Sequence, residues 1–163
     1  MVQRPARLWK DMATDTRVRA AEAFWRDTES QDIQLQHAEA LNALAQRFHF
    51  RLKSVQALPV ERRARQLAQL VDVSDAIATR SLIAYHFACQ RPLMSAFLDA
   101  LGAPHENGLI TEENFPAPAR EKLEAAVHAV CASFDRTDVA LYLHTLMALD
   151  AETWGQLDGL DPA

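Results

Sequence analysis

Four consecutive residues, His105-Glu106-Asn107-Gly108, set an imidazole beside a carboxylate, and Glu112 and Glu113 follow close behind. Histidine and carboxylate side chains can ligate a metal ion or exchange protons as acid and base. The zinc-protease spacing H-E-x-x-H would need a second histidine at 109, where the chain carries Leu109. Asn-Gly ahead of apolar Leu109-Ile110 also describes a turn that returns a hydrophobic anchor to the core. A second chemical candidate is His86, which shares a stripe with Thr79 and Gln90 on an otherwise apolar helix. It either lines a small pocket or marks the one strip that faces solvent. The strip is the expectation, since polar residues are mostly exposed. His86, His105 and Glu106 are therefore the candidate ligand or metal residues, on condition that His86 and His105 converge in space.

The other histidines read as structural. His128 shares a solvated face with Glu121 and Glu124, His144 lies beside the core stripe of its helix, and His37 sits on an apolar face. A histidine in an apolar setting is ordinarily held by a hydrogen bond to its surroundings. The chain has no G-x-S-x-G and no recognisable Cys-His signature for nucleophilic catalysis. Phosphate cradles of the G-x-G-x-x-G or Walker type are absent as well. Neither catalysis nor a cofactor is expected.

Charge is distributed very unevenly. Residues 1–65 carry 12 Lys/Arg against 8 Asp/Glu, and residues 66–163 carry 5 against 14, for a whole-chain charge of −5. Within the first part, Arg47, Arg51, Lys53, Arg62, Arg63 and Arg65 have only Glu61 among them. Such a patch can meet an acidic protein, a nucleic acid or an anionic surface. His49 and Phe50, interleaved with the cations, could stack on bases. The acidic whole favours a protein partner or a second copy of the chain, as a homodimer, over nucleic acid.

Residues 66–77, Gln66-Leu67-Ala68-Gln69-Leu70-Val71-Asp72-Val73-Ser74-Asp75-Ala76-Ile77, resemble the first helix and turn of the helix-turn-helix DNA-binding family. Leu67 and Ala68 match its supporting helix, and Val73 and Ser74 match its turn. The resemblance implies a second helix that enters the major groove and brings cations and amides to phosphates and base edges. The chain departs from the pattern with Asp72 at the turn glycine and with Ala78 and Ser81 at later core positions. Its second helix opens with Asp75 and holds Arg80 as the only cation before Arg91. Read without the resemblance, the same residues are two core helices joined by a capped turn.

These residues need a scaffold, and the sequence describes one made of helices. At 163 residues, 49% apolar and 24% charged, the chain suits a single globular domain with a sizeable core. Asp15 can cap a helix whose apolar face is Val18, Ala21 and Trp25, with Phe24 beside it. Thr28 and Gln31 have capping-box spacing for a helix to about Phe48, striped by Ile33, Leu41, Leu44 and Phe48. Phe48-His49-Phe50-Arg51-Leu52-Lys53 alternates like an extended segment and reads as a connector with aromatics inward and cations outward. Leu58-Pro59 opens a helix striped by Val60, Ala64, Leu67 and Val71. Ser74 caps the next one, which runs to about Gln90 and is apolar almost all round, the pattern of a buried central helix. Arg91-Pro92 starts a helix carrying Met94, Phe97, Leu98 and Leu101, which Gly102 and Pro104 stop. Residues 102–118 read as one irregular segment. Pro118 then opens a helix with Leu123, Val127, Val130 and Phe134. Asp135 or Thr137 caps another with Val139, Tyr142, Leu143, Leu146 and Leu149. Asp150 caps a short turn with Trp154 and Leu157.

The expected fold is an all-α, single-domain, irregular orthogonal bundle of six to seven main helices around the Ser74–Gln90 helix. The domain spans residues 1–157, with a loose tail at 158–163. Trp9, Trp25 and Trp154 should clamp the terminal helices. Cys89 and Cys131 lack disulfide or zinc spacing, no apolar leader follows Met1, and no stretch is apolar enough to span a bilayer. The expected address is the cytoplasm. The expected function is a non-catalytic module that binds another protein or itself through the six basic residues. A helix-turn-helix-like nucleic-acid binder is the first alternative, and a small-ligand or metal-binding protein using the 102–118 loop is the second.

Overall fold

The computed structural model describes residues 2–162. Among the described residues the protein is all-α, with ten helices and one two-stranded hairpin. The helices are α1 (Pro5–Asp11), α2 (Thr14–Arg26), α3 (Ile33–Phe48), α4 (Leu52–Gln56), α5 (Val60–Gln69), α6 (Asp75–Cys89), α7 (Arg91–Leu101), α8 (Arg120–Cys131), α9 (Arg136–Leu149) and α10 (Ala151–Trp154). A 3-10 turn at Gly155–Leu157 follows. No helix among the described residues is long and apolar enough to cross a membrane. The chain forms two compact units, Pro5–Tyr85 and a second made of the residues from His86 onward with the arm ahead of Pro5. The boundary falls within α6.

In the first unit, α2 packs along α5. The buried face of α2 is Arg17, Ala20, Ala21, Phe24 and Trp25, the i, i+3, i+4, i+7, i+8 stripe of a core-facing helix. It meets Ala64, Leu67 and Ala68 of α5. Helix α1 opens at Pro5, buries Leu8 and Trp9, and is pinned where Trp9 Nε1 donates to the Leu70 carbonyl at 2.7 Å. Ser74 Oγ accepts the Ile77 amide at 3.2 Å, the capping bond its position implies.

Two local expectations give way in this unit. The Thr28–Gln31 capping box does not form, because Asp27 takes the turn first. Its carboxylate accepts the amides of Glu29 and Ser30 at 3.2 and 3.1 Å, and α3 starts later, after a left-handed Asp32. Burial raises the Asp27 pKa, but hydrogen bonds from Ser30 and Glu29 and the nearby His37 outweigh it and leave it lowered. Nor is 48–53 an extended connector. Helix α3 ends at Phe48, His49 turns left-handed at φ 57°, and α4 begins at Leu52. That reversal turns Phe50 and Leu52 outward, 45% and 41% exposed, while Val55 is the side chain that anchors α4.

The second unit has a continuous core of Leu93, Phe97, Leu123, Val130, Val139, Leu143, Met147 and Trp154, among others. Phe97 stands edge-on to Tyr142 at 5.5 Å and tilted against Trp154 at 6.1 Å. Asp135 caps α9 by accepting the amides of Thr137 and Asp138 at 2.9 and 3.2 Å. Asp150 caps α10, and hydrogen bonds from the Thr153 side chain and amide lower its pKa. Residues 102–118 are not wholly irregular. β1 (His105–Glu106) pairs antiparallel with β2 (Leu109–Ile110), with His105 opposite Ile110 and Glu106 opposite Leu109. Asn107 and Gly108 both have positive φ, 50° and 94°, as a tight Asn-Gly hairpin turn requires. A Cβ at Gly108 would lie 3.0 Å from the Met94 Cβ, so a side chain there would crowd α7. Ile110 and Phe115, not Leu109, pack back on the core. Residues 158–162, expected to be loose, are tied at several points. Leu160 packs on the core, Asp161 Oδ2 lies 3.1 Å from His144 Nε2, and Arg120 donates to the carbonyls of Gln156 and Asp158.

Candidate functional site

The six basic residues all fall in the first unit but do not share one fate. Arg47 lies in the last turn of α3, Arg51 at the N-cap of α4 and Lys53 within α4, so three cations gather where α3 packs on α4. Arg62 and Arg65 are three apart on the outer face of α5, opposite Ala64, Leu67 and Ala68. Arg63, by contrast, is half-buried with its guanidinium 5.0 Å from the centre of the Trp25 ring. There it completes an aromatic cluster in which Trp25 also meets Phe24 and His37. Arg63 is therefore a packing residue, and Arg47, Arg51, Lys53, Arg62 and Arg65 are the exposed set.

None of these five makes an ion pair or a side-chain hydrogen bond among the described residues. Other cations of the same unit are paired: Arg7 with Asp11, Lys10 with Asp72, and Arg26 with Glu22 and Glu61. Glu61, the one acid inside the basic run, is thus drawn to Arg26 at 3.1 Å. Exposed Phe50 and Leu52 alternate with Arg51 and Lys53, and Phe50 stacks on Phe48 with centroids 6.1 Å apart. The surface therefore combines uncompensated positive charge with solvent-facing apolar side chains.

The chemical candidates lie in the second unit. His105 Nε2 is 2.6 Å from Asp99 Oδ1, and its Nδ1 accepts the Gly108 amide at 3.1 Å. With Nδ1 accepting, the neutral ring carries its proton on Nε2 and donates it to Asp99. One nitrogen is thereby committed to α7 and the other to the hairpin turn, and Glu106 faces solvent on the same strand. His86 is 2% exposed, so the Thr79–His86–Gln90 stripe is not the solvent strip expected of it. Its ring packs against Tyr142 at 5.5 Å, where burial pushes the Tyr142 hydroxyl pKa up. The structure thus commits His105 to Asp99 and Gly108 and seats His86 on an aromatic ring. Among the described residues no three His, Cys, Asp or Glu side chains gather to hold a metal.

Helices α5 and α6 do stand in sequence as a helix, a turn and a helix. The residues that would open a reading helix are engaged within the unit: Asp75 Oδ1 accepts the Ala6 amide at 3.0 Å, and Arg80 donates to the Gln31 carbonyl at 3.1 Å. His37 is structural as expected, with Nε2 2.7 Å from the Phe24 carbonyl. Sequence reasoning passed over a depression of about 310 Å³ lined by Glu124, His128, Cys131, Arg136 and Leu160. The i, i+4, i+7 spacing of Glu124, His128 and Cys131 was the available signal, since it puts all three on one face of α8.

No family model, curated protein or solved structure matches the chain.

Proposed function

We propose that the chain is a non-catalytic helical module that docks on an acidic face of another protein chain. Arg47, Arg51, Lys53, Arg62 and Arg65 would steer the encounter, and Phe50 and Leu52 would supply apolar contact. The observation that carries this reading is that five exposed cations have no carboxylate on them among the described residues. Clustered like charges with no internal compensation repel, and an external anionic surface relieves that repulsion. Charge steers association and sets specificity, while affinity comes from desolvated anchors such as Phe50 and Leu52. A net charge of −5 supports a protein over a polyanion as the partner, as does the engagement of Asp75 and Arg80 within the unit. Cys89 and Cys131, neither in a disulfide, support a reducing compartment such as the cytoplasm.

The test compares the wild-type chain with a variant carrying Arg47→Glu, Arg51→Glu, Lys53→Glu, Arg62→Glu and Arg65→Glu. Each is immobilised and exposed to lysate with and without nuclease treatment, and helicity is checked by circular dichroism. The wild type should retain an acidic protein that elutes as salt rises, and the variant should retain it roughly tenfold less. Equal retention by both chains, or binding that nuclease treatment abolishes, would overturn the proposal. Arg63 is left unchanged because its removal would also disturb the Trp25 cluster.

A further inference from the structure

We infer that the occupant of the basic surface is a second copy of this chain, which presents the carboxylates of α8 and of the segment leading into it. The inference rests on the reading of that surface as a protein-docking face, and it names the partner.

From His86 onward the chain holds 12 Asp/Glu and only 4 Lys/Arg. Several of those carboxylates are spoken for: Asp99 and Asp161 face histidines, and Asp135 and Asp150 cap helices. Glu112, Glu113, Glu121 and Glu124 are different. All four are exposed, and none makes an ion pair or a side-chain hydrogen bond among the described residues. Glu121 and Glu124 are three apart on the solvent side of α8, away from Leu123, Ala126, Val127 and Val130. Arg62 and Arg65 have the same spacing on α5.

One copy therefore leaves five cations uncompensated in one unit and four carboxylates in the other, and each set is the complement of the other. A second copy brings to the basic face an acidic face of opposite sign and the same helical spacing. Its net charge of −5 opposes association at long range. Beyond the Debye length of about 10 Å at 0.1 M salt that repulsion is screened, and the local pairs decide. Exposed pairs contribute little singly. Self-association should accordingly be weak, concentration-dependent and sensitive to salt.

Sedimentation velocity on the full chain tests this with a charge swap. The wild type should shift from monomer toward dimer with rising concentration at about 0.1 M salt, and less so at higher salt. Arg62→Glu/Arg65→Glu alone and Glu121→Lys/Glu124→Lys alone should each remain monomeric, since like charges then meet across the contact. Mixed in equal amounts, the two variants should associate again, within about tenfold of the wild-type affinity. A wild type that stays monomeric throughout overturns the inference, as does a mixture that fails to associate or self-association that survives in either variant. The retention experiment separates this failure from that of the underlying reading. A monomeric chain that still holds an acidic protein through the five cations leaves the docking surface standing and removes only the second copy.

Discussion

Replacing Arg17 by methionine lowers the stability of the Pro5–Tyr85 unit by about 3 kcal/mol. Arg17 is only 8% exposed, and none of the acceptors its guanidinium meets is a carboxylate. Nε donates to the Ala68 carbonyl at 2.8 Å, Nη1 to those of Met12 and Lys10 at 2.6 and 3.3 Å, and Nη2 to Thr14 Oγ1 at 3.3 Å. Those carbonyls belong to the end of α1, the residue after it and the last turn of α5, where helices run out of internal donors. A cation is also favoured there by the negative end of the helix dipole. Methionine keeps most of the side-chain volume but leaves the Ala68 and Met12 oxygens without that donor. Hydrogen exchange read by mass spectrometry should show faster exchange across α1, α2 and α5. Protection within about 0.5 kcal/mol of wild type would mean that the guanidinium adds nothing net.

Phe97→Ala should cost the second unit about 4 kcal/mol, within the range for deleting a fully buried aromatic side chain. Phe97 is wholly buried and its ring contacts both Tyr142 and Trp154, so the cavity opens between α7, α9 and α10. Trp154 is the only tryptophan of that unit and reports the change directly. With Trp9 and Trp25 replaced by phenylalanine in both chains compared, the Trp154 emission transition should move to clearly lower denaturant. Phe97→Leu, which refills much of the space, should recover more than half of the loss. An alanine variant that unfolds with the wild type would contradict the packing described.

The helical elements were legible because their apolar spacing is regular. Leu93, Met94, Phe97, Leu98 and Leu101 on α7 and Leu123, Val127 and Val130 on α8 bury the faces their 3.6-residue period implies. Helix α1 went unread because seven residues give barely two turns of pattern, although Pro5 followed by Leu8, Trp9 and Met12 is a helical start. The hairpin was half-legible: Asn107-Gly108 announced the turn, but two-residue strands leave no alternation to see. Phe48–Lys53 misled because alternation over six residues cannot register a left-handed residue such as His49. At the surface, sequence located the basic run but could not separate Arg63, whose stacking on Trp25 is a tertiary fact. Arg17 carried a signal that was overlooked, since it sits in register with Ala20, Ala21, Phe24 and Trp25. His86 shows the limit from the other side, because polarity alone suggested solvent where the fold supplies Tyr142.

The central claim is that the surface around Phe50 and Leu52 is occupied by protein in the cell. A photo-cross-linking amino acid placed at Leu52, with the same substitution at exposed Leu149 of the other unit as control, measures that occupancy directly. The expected result is a discrete protein adduct at position 52 that is absent at 149 and disappears when Arg47, Arg51, Lys53, Arg62 and Arg65 are reversed to glutamate. Adducts of equal yield at both positions, adducts with nucleic acid, or no adduct at position 52 would contradict it.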